Sequence, residues 1–343
     1  MHASAGLHAL WRSRGVASRL LLPLALLYGA ATSLRRLLYR IGWLEIQRLP
    51  VPVIVVGNLI AGGSGKTPTV RALVRTLRAH GYRPAVVSRG YGGEASGVTE
   101  VLPSTPARQC GDEPLLLRLR ADVPVFVGQD RVAAGRALLQ AHRDVDVIVA
   151  DDGLQHLRLH RDVQVIVFDE RGAGNGWLLP AGPLREPMPE ALPPRSLVLY
   201  NAPAATTPLR GTPVARGLSG IAALRDWWDG SAARPELLEA LRGRPVVAAA
   251  GLAFPERFHA MLRDRGLVIE TLALPDHFDW LALPWPADAR DVIVTEKDAV
   301  KIDPARIGRV RVWVAALDFV PAPEFDAALL RMLPPPSSLQ PDP

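Results

Sequence analysis

Residues 57–68 read Gly57-Asn58-Leu59-Ile60-Ala61-Gly62-Gly63-Ser64-Gly65-Lys66-Thr67-Pro68, directly after an apolar run at 51–56. A buried strand that breaks into glycines and runs through Gly-Lys-Thr into a helix is how a chain builds a phosphate cradle. Glycines let backbone N–H groups close on phosphate oxygens, and the helix N-terminus adds its partial positive charge. Gly62, Gly63, Ser64 and Gly65 are the cradle candidates, Lys66 is the cation, and the Thr67 hydroxyl suits Mg2+. The spacing departs from the strict Gly-x4-Gly-Lys-Thr form, because Ile60 stands where the first glycine would be. Composition agrees with the assignment. Of 40 Lys and Arg residues only Lys66, Lys297 and Lys301 are lysines. A lysine here marks a place that needs a compact ammonium rather than a planar fork.

Outward from this stretch, strands and helices alternate. The pattern predicts strands at 53–56, 84–88, 123–127, 145–150, 163–168 and 196–199, with helices at 67–80, 114–120 and 131–142. In 67–80, Val70, Leu73, Val74 and Leu77 form one stripe, and Arg71, Arg75 and Arg78 lie on the other face. This implies an α/β chain with a P-loop NTPase-like, doubly wound, mainly parallel sheet. Proline is dense from 181 to 213, which reads as loop. A second, smaller α/β unit begins near 244, with strands at 246–250, 267–272, 292–294 and 310–315 and helices at 255–265 and 323–333. The expected organisation is a membrane-associated helical segment at 1–43, a nucleotide-binding domain at 44–201, a linker region at 202–243, the second unit at 244–333 and a disordered tail at 334–343.

With 343 residues and 48% apolar content, the chain can bury two cores. A net charge of +6 favours anionic partners. The single cysteine, Cys110, excludes an internal disulfide framework and fits a reducing compartment. The positive charge is scattered, without an aromatic stacking pattern, so nucleic acid is not an expected partner. Residues 20–34 carry no charge and are flanked by Arg12, Arg14 and Arg19 on one side and Arg35, Arg36 and Arg40 on the other. The run is short of the roughly 20 residues that span a bilayer, and Pro23 sits inside it. Two readings stand: a helix of the core, or a helix lying in a membrane surface with its arginines, Trp11 and Trp43 at anionic headgroups.

Several segments carry chemistry. The strand at 145–150 runs into Asp151-Asp152, as in a strand that delivers carboxylates to a metal beside a phosphate cradle. Gln155 and His156 follow, either to position substrate or to cap the loop. Asp112 opens a leucine-rich helix and is either its N-cap or a base. Arg185-Glu186 offers a phosphate-binding cation and a metal-facing acid, or a solvated loop pair. His277 follows a strand of the second unit, where a lone histidine is more often structural. Thr295-Glu296-Lys297-Asp298 ends another strand and offers both charge signs to a cleft.

Taken in order, these segments resemble the tetraacyldisaccharide 4'-kinase family, the lipid A 4'-kinases of Gram-negative inner membranes. The resemblance rests on Gly57-Asn58-Leu59 with 62–68, Ser88-Arg89-Gly90-Tyr91, Gly111-Asp112-Glu113-Pro114, Asp151-Asp152-Gly153-Leu154-Gln155-His156, Leu184-Arg185-Glu186-Pro187, Asp276-His277-Phe278 and Val294-Thr295-Glu296-Lys297-Asp298. It implies transfer of the ATP γ-phosphate to the 4'-hydroxyl of an acylated glucosamine disaccharide 1-phosphate, in lipid A biosynthesis. It further implies Mg2+, an inner-membrane enzyme held peripherally or by its N-terminus, and a site facing the cytoplasm. Asp112 would be the base and His277 its tuning partner. Lys66 and Thr67 would serve phosphate and metal, and Asp151, Asp152 and Glu186 would lie near the metal. Arg89, Arg131, Arg185 and Gln155 would contact phosphate or substrate. Segment 202–243 matches nothing in the family pattern. Without the resemblance, a membrane-surface nucleotide switch or a cytosolic ligase-like ATP enzyme would share the cradle. Neither would need the Asp112 and His277 pair.

Overall fold

The computed structural model describes residues 10–214, 216–276, 278–286 and 288–337. Its elements run α1 (Val16–Leu20), α2 (Leu22–Arg40), β1 (Val53–Gly57), α3 (Lys66–Ala79), β2 (Pro84–Ser88), β3 (Thr99–Glu100), α4 (Ala107–Cys110), α5 (Asp112–Ala121), β4 (Val125–Val127), α6 (Arg131–Ala141), β5 (Val147–Asp151), β6 (Val163–Asp169), β7 (Ser196–Asn201) and β8 (Thr212–Pro213). The chain continues through β9 (Arg216–Ala223), α7 (Leu224–Trp228), α8 (Pro235–Glu239), β10 (Pro245–Ala250), α9 (Pro255–Asp264), β11 (Val268–Ala273), β12 (Asp291–Thr295), α10 (Glu296–Ala299), β13 (Arg311–Phe319) and α11 (Pro323–Arg331).

The first sheet has strand order β3-β4-β2-β5-β1-β6-β7-β8. Strand β1 lies inside it, parallel to β5 (Val55 opposite Ala150) and to β6 (Val55 opposite Gln164). Its run of Val53, Ile54, Val55 and Val56 is buried throughout, as expected of a β-branched strand covered on both faces. From β1 the chain crosses to β2 on one side, and from β5 it crosses to β6 on the other. The carboxyl ends of β1 and β5 therefore flank the switch point, where open α/β sheets form their ligand crevice. Only the short β3 pairs antiparallel in this sheet among the described residues.

The second sheet has order β11-β10-β12-β13-β9. Strand β9 joins antiparallel to β13, with an irregularity between Ala316 and Leu317. This changes the expected organisation of 202–243. That stretch is not a plain linker, because β9, α7 and α8 all fall within it. Gly217, Ser219 and Gly220 interrupt the apolar alternation of β9, so the strand gains its place from pairing with β13 rather than from local pattern.

Helix α3 has the expected stripe: Val70, Leu73, Val74 and Leu77 are buried. Each fully buried leucine there stabilises the fold by roughly 1.5–3 kcal/mol. The arginine face is partly covered, at Arg71, while Arg75 and Arg78 stay exposed. Arg71 pairs with Glu296, and Arg75 donates to the Phe319 carbonyl at 3.3 Å. One hydrophobic cluster runs from α3 and β1 through Trp227, Trp280, Val292 and Phe325, so the two units share a core.

The N-terminal helices lie outside that core. Only Ala25 of α2 is buried, and Leu20, Leu24, Leu26, Leu27, Leu34 and Leu37 are all exposed. The core-helix reading of 20–34 therefore gives way. The inner side of α2 and the chain before it are tied to the first unit by polar bonds. Trp11 Nε1 donates to the Pro180 carbonyl at 3.0 Å, Tyr28 Oη to the Arg185 carbonyl at 2.9 Å, and Arg36 to Glu186 at 2.9 Å. No helix among the described residues is long and apolar enough to cross a membrane. Residues 1–9 of the expected N-terminal segment and 338–343 of the expected tail lie outside the described residues.

Candidate active site

The loop after β1 is shaped by backbone conformations that glycine adopts cheaply. Gly62 has φ +92° and Gly65 has φ +90°, where a Cβ is strained. One side chain of the loop and two from distant segments then fix it. Asn58 Nδ2 donates to the Gly62 carbonyl at 3.1 Å, and Asn201 Nδ2, at the end of β7, to the Ser64 carbonyl at 2.9 Å. Arg171 donates to the carbonyls of Ala61 (3.2 Å) and Gly63 (2.8 Å) while Asp169 holds its guanidinium. Carbonyls are thus turned away to protein donors, which leaves N–H groups for the cradle. A Cβ on Gly65 would fall 1.8 Å from Asn201 Nδ2. The hydroxyl of Ser64, buried, has no partner among the described residues.

Lys66 and Thr67 open α3 at the foot of this loop. Lys66 Nζ lies 3.5 Å from Asp152 Oδ1. Asp151 ends β5, fully buried, and its Oδ1 has no hydrogen-bond partner among the described residues. Burial, with the nearby Glu113 charge, pushes its carboxyl up to about 7. Its neighbour goes the other way. Burial works against the Asp152 carboxylate, but Lys66, Arg185 and Arg131 outweigh it and hold the group below the ordinary range. Asp152 also sits at φ +49°, a left-handed turn that aims it back across the cradle.

Around this pair the predicted polar residues form a network. Arg185 donates to Asp152 Oδ1 at 3.0 Å and to Gln155 Oε1 at 3.2 Å. Gln155 Nε2 donates to Glu186 Oε1 at 2.8 Å and to the Asn58 carbonyl at 3.2 Å. Glu186 takes Arg36 from α2 on its other oxygen. Arg185 and Glu186 are therefore not a solvated loop pair. Arg131, buried at the start of α6, donates to the Asp152 carbonyl at 3.2 Å. Arg89 lies near enough to disfavour the charge on Arg131. His156 packs by Asp130, its Nε2 3.7 Å from Oδ1. Burial and the Arg131 charge push its imidazole down to about 4, so it is neutral near pH 7.

Asp112 enters from the other wall. The N-cap of α5 is Gly111, and Asp112 is the first helical residue, so the N-cap alternative does not hold. Its Oδ1 accepts the Glu113 N–H at 2.9 Å. Its Oδ2 faces two lysines of the second unit, Lys301 Nζ at 3.7 Å and Lys297 Nζ at 4.0 Å. Lys297 also meets Glu113 at 3.2 Å. Burial alone would lower the Lys297 ammonium, but Glu113, Asp112 and Asp276 raise it. His277 lies outside the described residues.

Of the four metal candidates, Asp151 and Asp152 lie together and Glu186 is engaged by Arg36 and Gln155. Among the described residues no three His, Cys, Asp or Glu side chains converge on one point. Asn58, Asn201, Arg171, Glu113 and Lys301 were not foreseen as site residues. Asn201, Arg171 and Lys301 act over long sequence separations, and only the scarcity of lysine pointed to one of them.

Comparisons with known proteins agree with this geometry. A family model described as Tetraacyldisaccharide-1-P 4'-kinase matches residues 17–334. A tetraacyldisaccharide 4'-kinase of Methylibium petroleiphilum is 56% identical over 93% of this chain and 90% of its own. One of Leptothrix cholodnii is 53% identical over 94% of each. Among solved structures, the "apo" form of LpxK from Aquifex aeolicus in complex with ATP superposes with a TM-score of 0.77 at 27% identity, covering 93% of this chain and all of that one. A match over nearly the whole length, on a chain whose cradle and strand-end acids meet in one cleft, shows that the protein belongs to the tetraacyldisaccharide 4'-kinase family.

Proposed function

We propose that the protein transfers the γ-phosphate of ATP to the 4'-hydroxyl of a tetraacyldisaccharide 1-phosphate, a step of lipid A biosynthesis. The observation that carries this reading is the meeting of Lys66, Asp151 and Asp152 at the switch-point cleft, with Glu113, the neighbour of Asp112, close enough for its charge to act on Asp151. Phosphoryl transfer needs charge neutralisation, positioning and a carboxylate to receive the hydroxyl proton. Lys66 meets the phosphates as a point charge, and the cradle N–H groups of 62–65 bind their oxygens. Arg185, anchored on Asp152 and Gln155, offers further positive charge beside them. Asp112 is the base, with His277 its tuning partner.

The site also fits Mg2+. Asp151 keeps a buried oxygen without a donor among the described residues, beside the Asp152 carboxylate, and such oxygens suit a hard cation. Thr67, Asp151 and Asp152 would hold it with the phosphates, and Glu186 would sit behind through Gln155. When bound, the ion supplies charge neutralisation at the transferred group.

We place the enzyme at the cytoplasmic face of the inner membrane, held by α2. Its exposed leucines suit the acyl boundary, and the exposed Arg35 and Arg40 lie toward its end at headgroup level. The substrate's acyl chains would then reach the site without leaving the bilayer. Incubation of the purified chain with labelled ATP, Mg2+ and the acylated disaccharide in mixed micelles tests the reading. Label in the lipid, dependent on the disaccharide, is expected. ATP hydrolysis that is indifferent to the glycolipid and never labels it overturns the kinase assignment.

A further inference from the structure

We infer that Lys301, carried by the second unit, is a positioning residue for Asp112: it keeps that carboxylate ionised and in place without occupying it. The inference rests on the assignment of Asp112 as the base.

Three observations carry it. First, Lys301 Nζ is buried and has no hydrogen-bond partner among the described residues. It stands 3.7 Å from Asp112 Oδ2 and 3.7 Å from Asp298 Oδ1. A buried ammonium is expensive unless opposite charges offset the loss of water, so its place is between these two carboxylates. Second, Asp298 is itself immobilised. It accepts from Thr295 Oγ1 at 2.7 Å, Trp280 Nε1 at 3.1 Å and the Gly251 N–H at 3.2 Å. Lys301 therefore has a fixed counter-charge behind it. Third, two of the three lysines in an otherwise arginine-using chain face this one carboxylate.

The choice of lysine has a physical reason. A guanidinium forms a planar fork that takes both oxygens of a carboxylate at hydrogen-bond distance. A base so clamped has lost the lone pairs that must receive a proton. An ammonium at 3.7 Å acts through space, favouring the anion while claiming no lone pair. Because Lys301 and Lys297 come from the second unit and Asp112 from the first, the charged state of the base also depends on how the two units are packed.

Among the described residues, the charged and titratable groups facing Asp112 include Lys297 and Lys301 from α10 and the turn after it, Glu113 beside it on α5 and Cys110 before it. Asp276 acts on Lys297, and Asp298 stands behind Lys301. In the full-length enzyme, with saturating Mg-ATP and acylated disaccharide in micelles, Lys301→Met is expected to lower kcat about 10-fold or more with the ATP KM nearly unchanged. The acid limb of its kcat profile is expected to move up by about one pH unit. In an Asp112→Asn background, measured by single turnover, the same substitution is expected to have almost no further effect. Lys301→Arg is expected to keep the melting temperature and still lose kcat, and it serves if the methionine variant fails to fold. An unmoved acid limb, an equal loss in the Asp112→Asn background, or full activity of Lys301→Arg each overturns the inference. Full activity of Asp112→Asn alone overturns instead the assignment of the base.

Discussion

Strands β5 and β12 both run into acids, and the two ends are built differently. At the end of β5, Asp151 keeps an oxygen without a partner among the described residues, and Asp152 is ringed by Lys66, Arg185 and Arg131. At the end of β12, each acid is engaged by named partners. Glu296 meets Arg71, Arg120 and the Trp227 indole, and Asp298 takes three donors and faces Lys301. Both read alike in sequence, as an apolar strand running into acids. The first leaves charge unsatisfied for a ligand to complete. The second satisfies its charge within the protein and so holds two units together. Satisfaction of the acid, rather than its position at a strand end, separates a binding site from a joint.

The largest effect that could break this comparison is at Lys66. Lys66→Ala removes the cation that the β5 end was built to share with phosphate. A loss of about 10²-fold or more in kcat is expected, with the melting temperature little changed. Near wild-type turnover at saturating ATP would mean that the β5 end is no more a ligand site than the β12 end.

The second test is at the joint. Glu296→Ala leaves Arg71 and Arg120 without their shared counter-charge and the Trp227 N–H without an acceptor. A loss of about 1–3 kcal/mol is expected, below the range for a fully buried pair because Arg71 is partly exposed. Urea unfolding measures it, and an unchanged midpoint would show that the β12 end is not a joint.

A smaller effect sharpens the contrast within the β5 end itself. Asp151 is raised to about 7 from 3.8, so its protonated form favours the fold. That contribution is present below pH 3.8 and is lost as pH rises through about 7. His156 is lowered to about 4 from 6.5. Its contribution is present above pH 6.5 and is lost as pH falls through about 4. The two slopes oppose each other in one window. Melting curves without nucleotide should therefore separate them: Asp151→Asn should lessen the decline toward neutral pH, and His156→Gln the decline toward acid. The same slope in both variants would contradict the opposed environments.

The smallest effect on stability lies on the outer face of α2, which belongs to neither strand end. Leu24→Ser with Leu27→Ser should alter stability by no more than about 0.5 kcal/mol, since both side chains are exposed. It should nonetheless weaken co-sedimentation with anionic vesicles. Undiminished binding would count against the membrane-surface placement.

What was legible in the sequence was local. The run at 51–56 and the Gly-Lys-Thr turn gave β1, the cradle and α3, because strand burial and positive φ leave marks in adjacent residues. The alternation beyond it gave the parallel sheet. Strand β9 was hidden, since glycines and a serine break its pattern and its partner β13 lies about ninety residues on. Asn201 and Arg171 were hidden for a like reason. Each reaches the cradle across the sheet, and nothing near either residue states which carbonyl it will meet. The pairing of Arg71 with Glu296 was hidden because amphipathicity reports only which stripe of α3 is apolar. It does not report whether a second unit covers the other.

The close approach of Gly65 to Asn201 has a consequence for how this protein can vary. Every codon one base away from a glycine codon that still encodes an amino acid different from glycine encodes one with a Cβ. At position 65 that atom would meet an asparagine side chain already committed to the Ser64 carbonyl, at a backbone angle that resists it as well. No single step leads away from glycine there, and shortening Asn201 first removes the obstruction while leaving the angle. Under random mutagenesis with selection for activity, position 65 should stay fixed while the exposed leucines of α2 drift.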